Sequence, residues 1–158
     1  SMHDNWIAMD FPGESPEETA PPEGLLESLG LEASWVGKNR MDYLIEVDSS
    51  GQVRSVKPDF TGLSKVEARG VIVTSKNDAD DADYISRFFA PAVGVNEDPV
   101  TGSAHCCLGP YWASKFENSR LIGYQASTRG GYVRTDHRGD RVILSGQAVT
   151  VMRAQLTV

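Results

Sequence analysis

The sequence predicts an α+β domain in which a mixed, mainly antiparallel sheet curls around a central helix. Three observations carry this prediction. Segments with strand character recur along the chain, punctuated by glycine, whereas few segments show helical spacing. The strongest helix, opening after Thr101, is apolar nearly all round: Ala104, Cys106, Cys107, Leu108, Tyr111, Trp112, Ala113 and Phe116 leave no polar face, and such a helix is buried on most sides. Finally, 158 residues with 40% hydrophobic and 23% charged content suit one globular domain spanning 1–158. At this length folding removes roughly two-thirds of the unfolded surface from water, so neither disulfide nor structural metal is needed. A buried helix among many strands is most simply housed by a curled sheet, with the helix N-terminus left at the mouth.

Alternation of Trp6 and Ala8 with Ile7, Met9 and Phe11 gives an opening strand over Asn5 to Phe11. The acidic, proline-rich stretch from Pro12 to Gly24 reads as a surface loop. Leu25, Leu26, Leu29 and Leu31 with Gly30 as terminator predict a short helix. Two strands, Tyr43 to Asp48 and Gln52 to Val56, are expected to form a hairpin through Ser49, Ser50 and Gly51, with Pro58 stopping the second. The β-branched run Val71 to Thr74 and the segment Tyr84 to Ala90 are strands separated by the polar loop Asn77 to Asp83. After the central helix come Leu121 to Ser127, Gly131 to Thr135, Arg141 to Ser145 and Val149 to Val158, all read as strands. Pro110 forfeits one backbone bond and is expected to kink or divide the helix between Cys106 and Gly109.

The net charge of -7 provides no general field for a polyanion, so neither nucleic acid nor an anionic membrane is an expected partner. No apolar run approaches the roughly 20 residues of a membrane span, and Ser1 to Asn5 lack signal-peptide character. The adjacent pair Cys106 and Cys107 would form a strained disulfide, which fits a reducing, cytoplasmic setting. No metal is expected. His105, Cys106 and Cys107 are consecutive and cannot converge on one tetrahedral ion, and His3 and His137 have no matching spacing. The acidic loop Asp78, Asp80, Asp81 and Asp83 lacks the glycine and closing glutamate of an EF-hand. His105 reads as a core histidine and the cysteines as core filling.

The chemistry is concentrated in the stretch from Asn96 to Leu108, which passes abruptly from polar turn to apolar helix. Pro99 disfavours helical dihedrals at Asp98, placing it just outside the helix. With Thr101 as N-cap, the amides of Gly102, Ser103 and Ala104 lack intrahelical acceptors and can receive a carboxylate or phosphate. Gly102 permits close approach of a ligand. The same residues also satisfy a purely structural reading, as the caps of a tight turn.

Three motifs then resemble a known family in order and spacing: Ser86-Arg87-Phe88-Phe89-Ala90-Pro91, Glu97-Asp98-Pro99-Val100-Thr101-Gly102-Ser103-Ala104-His105-Cys106, and Tyr124-Gln125-Ala126-Ser127 with Arg129-Gly130-Gly131. With Met9-Asp10-Phe11-Pro12 and the closing Val142 to Val149 region, they resemble the PhzF-like isomerases of phenazine biosynthesis. The resemblance implies a diaminopimelate-epimerase-like fold of two similar α+β domains, each wrapping a sheet about a helix, with the active site between them. Family members are longer, and the present segments resemble their C-terminal half alone. The half that carries the principal catalytic glutamate and a glycine-histidine substrate contact has no match here.

The resemblance implies Asp98 as the catalytic residue at the helix entrance, Thr101, Gly102 and Ser103 as substrate contacts, and a small carboxylic acid as substrate. It implies proton movement between carbon positions without metal or organic cofactor, the carboxyl group tuned by burial and by neighbouring anions such as Glu97. The expected parent is an isomerase, and the isolated chain is expected to be inactive or nearly so. Its exposed interdomain face would take the missing N-terminal domain or self-associate. Two alternatives stay open. One is half of an amino-acid or hydroxy-acid epimerase or racemase, although the related epimerases carry a cysteine acid/base where this chain has Asp98. The other is a non-catalytic binding or scaffold domain.

Overall fold

A computed structural model describes residues 6–156 in full and the backbone of residues 2–3. Ser1, Asp4, Asn5, Thr157 and Val158, which include both ends of the expected 1–158 domain, lie outside the described residues. The strands are β1 (Met2–His3), β2 (Trp6–Pro12), β3 (Glu17–Glu18), β4 (Trp35–Lys38), β5 (Asp42–Glu46), β6 (Gly70–Lys76), β7 (Tyr84–Phe89), β8 (Arg120–Gln125), β9 (Gly131–Arg138) and β10 (Arg141–Gln147). The helices are α1 (Leu25–Leu29), α2 (Ser50–Ser55), α3 (Phe60–Leu63) and α4 (Gly102–Phe116). Among the described residues the ten strands form one sheet in the order β1-β2-β10-β9-β8-β7-β6-β5-β4-β3. The β5–β6 and β7–β8 pairs are parallel and every other neighbouring pair is antiparallel, as the α+β expectation required.

The two parallel pairs need crossovers, and these divide the helices between the two faces of the sheet. The β5–β6 crossover carries α2 and α3, which join α1 in a core with Tyr43, Ile45, Val71, Val73, Ile85 and Phe89. The β7–β8 crossover carries α4, which packs on the alternate residues Leu44, Ile72, Tyr84 and Phe88 and on Leu121. Strands buried on both faces read as continuous apolar runs, which is why Val71-Ile72-Val73 shows no alternation. Further round the sheet, Cys106 of α4 meets Val133, Val142 and Leu144 of β9 and β10.

Several expectations are corrected. Gln52 to Val56 is not a strand and Ser49-Ser50-Gly51 is not a hairpin turn: the segment is α2, capped by Ser49. The Gln52 amide donates to Ser49 Oγ while the Gln52 side chain accepts from the Ser49 amide, a reciprocal capping box that nucleates the helix. Replacing Ser49 by alanine is expected to lower stability by about 1 kcal/mol, readable as a reduced urea midpoint at unchanged slope. The strand expected over Val149 to Val158 is absent from residues 148–156, where Val149, Val151, Met152 and Leu156 are exposed. Alternation without a partner strand and a face to bury does not form a strand. The acidic stretch includes the short edge strand β3, and β4 and α3 were not anticipated.

Pro110 does not divide α4, which runs unbroken from Gly102 to Phe116. The carbonyl orphaned by the missing Pro110 N–H, that of Cys106, accepts instead from the Glu14 amide at 2.9 Å. The proline thereby ties the loop after β2 onto the buried helix. No described helix is long and apolar enough to cross a membrane.

Candidate functional site

The segment between β7 and α4 is shaped largely from β8 and its following turn. The Asp98 amide donates to Phe88 O at 3.1 Å, anchoring the turn to the end of β7. The Ser127 hydroxyl donates to Pro99 O at 2.7 Å and accepts from the Gly130 amide at 3.0 Å. Gly131 follows because a Cβ there would stand 2.6 Å from Val100 Cγ2. The fully buried Gln125 completes the framework. Its Oε1 accepts from the Thr101 amide at 2.8 Å, and its Nε2 donates to Asp98 O at 2.7 Å and to Thr101 Oγ1 at 3.1 Å.

Thr101 stands at the N-cap position in extended geometry, yet its hydroxyl makes no cap bond to the helix and donates to Asp98 Oδ2 instead. Its carbonyl accepts from the His105 amide at 3.2 Å. Among the described residues no acceptor takes the amides of Gly102, Ser103 or Ala104, so the positive end of α4 lies open where Gly102 is exposed. Asp98 and Ser103 are half-buried, neither sunk in the core nor free on the surface.

Ser103 is held from the β5–β6 part of the sheet. Arg69, just before β6, forms a bidentate pair with Asp42 of β5, whose side chain is fully buried, and its Nη2 also donates to Ser103 Oγ at 3.0 Å. The β5–β6 register sets this up by placing Asp42 opposite Gly70, next to Arg69. A guanidinium can only donate, so the Ser103 oxygen accepts and its own hydrogen remains for another acceptor. The Arg69 charge is balanced by Asp42, and that pairing raises the already high pKa of the guanidinium. Sequence reasoning missed both residues because they lie far from Ser103 along the chain; an arginine preceding the β-branched run was the available signal.

Glu97 does not act on Asp98 as a neighbouring uncompensated anion. Arg87 binds it in a bidentate pair at 2.7 and 3.1 Å and donates from Nη1 to Val56 O at 2.7 Å, directing the carboxylate toward α2. The acidic loop is likewise committed to the fold: Asp78 accepts from Ser50, Asp81 from Tyr132 and Asn77, and Asp83 from the Ile122 amide.

Behind the helix entrance the groups are buried and neutral. His105 is inaccessible, with Nδ1 at 2.9 Å from the Tyr84 hydroxyl and, among the described residues, no hydrogen-bond partner for Nε2. Burial lowers its pKa to about 4, only partly opposed by the neighbouring Gln125 amide. Tyr84 fits beneath Gly123, where a Cβ would come within 2.4 Å of the phenol ring, and burial raises its pKa. The free thiols of Cys106 and Cys107 are pushed up to about 11 and about 12, chiefly by burial. His105 and the cysteines therefore belong to the core, as their positions in an all-apolar helix implied.

Comparison with known proteins places these features in a family. The family pattern described as phenazine biosynthesis-like protein matches residues 12–154. An uncharacterized isomerase of Halalkalibacterium halodurans is 52% identical over 157 residues, covering 99% of this chain and 59% of the relative. An uncharacterized isomerase of Pseudomonas aeruginosa is 46% identical over 150 residues, covering 95% of this chain and 57% of the relative. A PhzF-family crystal structure from Enterococcus faecalis superposes with a TM-score of 0.87 at 33% identity, covering 93% of this chain and 56% of that one. The chain thus spans less than two-thirds of the length of each.

Proposed function

Because this chain belongs to the phenazine biosynthesis-like protein family, we propose that it forms the C-terminal half of an isomerase that moves a proton on a small carboxylic acid. In this reading the sheet curls around α4 as one half of a diaminopimelate-epimerase-like fold, and a second domain closes over the helix entrance. The observation that carries the proposal is the meeting of three features in one half-buried place: the Asp98 carboxyl group, the open amides of Gly102 to Ala104, and a Ser103 hydrogen released by Arg69. The substrate carboxylate docks on the amides and on Ser103, attracted by the positive helix end. Asp98 exchanges a proton with a substrate atom held beside it, and the second domain excludes water and carries the partner acid or base.

No organic cofactor or metal enters this scheme. The isolated chain, with half a cleft, is inactive in it, and its uncovered face takes the other domain or a second copy. A thiol-based racemisation is a weaker reading, since Cys106 and Cys107 are buried and their pKa values lie far above neutrality. We place the protein in the cytoplasm, where such unpaired thiols stay reduced.

The test is a titration of acetate and malonate into the isotopically labelled chain, followed by amide resonances. Shifts are expected to concentrate at Gly102, Ser103 and Ala104 and to weaken in Ser103→Ala. Absent shifts, or shifts spread evenly over the surface, would overturn the carboxylate-docking proposal.

A further inference from the structure

The hydrogen bonds around Asp98 have a fixed direction, and that direction distinguishes its two carboxylate oxygens. The Thr101 backbone amide can only donate, so the side-chain atom of Gln125 that faces it is the oxygen, Oε1, at 2.8 Å. The Asp98 backbone carbonyl can only accept, so the atom facing it is Nε2, at 2.7 Å. These two independent constraints give the same orientation of the Gln125 amide, which is fully buried. Nε2 carries two hydrogens. One goes to Asp98 O and the other to Thr101 Oγ1 at 3.1 Å, so the threonine oxygen is an acceptor from Gln125.

The single hydrogen of the Thr101 hydroxyl must then point elsewhere, and among the described residues its one acceptor is Asp98 Oδ2. Were Oδ2 to carry a proton and donate it to Thr101, the threonine hydrogen would be left without an acceptor at a residue only 8% exposed, a costly arrangement. No described side chain or amide takes Asp98 Oδ1.

We propose that Gln125 and Thr101 are positioning residues that keep Asp98 Oδ2 a permanent hydrogen-bond acceptor, so that Oδ1 is the atom on which Asp98 gains and loses its proton. This deepens the reading of Asp98 as an acid/base group and rests on it for its catalytic meaning. The fixed direction of the Thr101 hydroxyl restricts proton exchange at Asp98 to one oxygen. A substrate carbon that exchanges hydrogen with Asp98 must therefore approach Oδ1. Thr101, which the family resemblance implies as a substrate contact, acts on the substrate through Asp98.

Two measurements on this chain test the proposal without requiring turnover. In the first, the Asp98 side-chain carboxyl carbon is observed by NMR at neutral pH. Thr101→Val, which keeps the shape and removes the donor, is expected to move that resonance, whereas Thr101→Ser is expected to leave it at the unsubstituted position. An unmoved carboxyl-carbon resonance in folded Thr101→Val overturns the proposal. The second needs no substitution and decides the matter even if Thr101→Val fails to fold: neutron diffraction from deuterium-exchanged crystals near neutral pH. The Thr101 deuteron is expected on the line to Asp98 Oδ2, with Gln125 Nε2 toward Asp98 O. A deuteron pointing elsewhere, or a reversed Gln125 amide, overturns it. Neither readout depends on substrate, so failure of the isomerase reading would leave both results standing and remain distinguishable from failure of this one.

Discussion

Asparagine in place of Asp98 is expected to reduce turnover in the complete protein by about 10²–10⁴-fold, the usual contribution of a positioned acid or base. The substitution is nearly isosteric, and the local frame gives a physical reason why the loss should be chemical. Gln125 holds the Asp98 backbone carbonyl, Phe88 holds its amide, and neither contact involves the side chain. An asparagine carbonyl oxygen can still accept from Thr101, so the turn keeps its hydrogen bonds while the exchangeable acid is lost. The expected pattern is a large fall in kcat with little change in urea midpoint and with retained docking of small carboxylates at Gly102 to Ala104. Full turnover in Asp98→Asn would remove Asp98 from the chemistry. Lost turnover accompanied by a large fall in stability would make the residue structural and return the motif to a tight-turn cap.

What could be read from the chain was local, and what could not was long-range. Thr101 at the helix entrance, Gly30 ending α1, and the all-round apolar character of α4 depend on short spacing and near-neighbour sterics, and the structure carries each of them. The hairpin error at Ser49 to Val56 was also local. Ser-Gly-Gln after a strand resembles turn chemistry, but a serine followed three residues later by glutamine is also a capping box, and the helix is what connects a parallel pair. The frame of the site was illegible for another reason. Gln125 is 24 residues from Thr101, and Arg69 is 34 residues from Ser103 and 27 from Asp42. A single sequence holds no periodicity that joins such positions. Glu97 shows the same limitation in reverse: its nearness to Asp98 along the chain suggested an electrostatic neighbour, while Arg87 on β7 turns it away.

Acid is expected to unfold this domain partly through His105, and the sign follows from its burial. The folded-state pKa is depressed to about 4 from the usual 6.5 because the imidazole lies wholly inside the core. The unfolded chain therefore binds a proton first as pH falls, so the stability associated with neutral His105 is fully present above about pH 6.5 and is lost progressively between there and about pH 4. The full shift corresponds to about 3 kcal/mol, a large share of the stability of a single domain. His105→Gln, which can still hydrogen-bond to Tyr84 but does not titrate, separates this contribution from that of the carboxylates. The unfolding free energy from urea titrations is expected to fall less between pH 7 and pH 4 in the variant, by about that amount; an identical pH dependence would mean that His105 does not carry the acid sensitivity. The location gives the result a functional edge, because His105 donates its amide to Thr101 O and lies in the opening turns of α4. Protonation that expels its ring from the core must disturb the helix entrance on which Asp98, Gly102 and Ser103 depend, so the same titration is expected to abolish carboxylate docking.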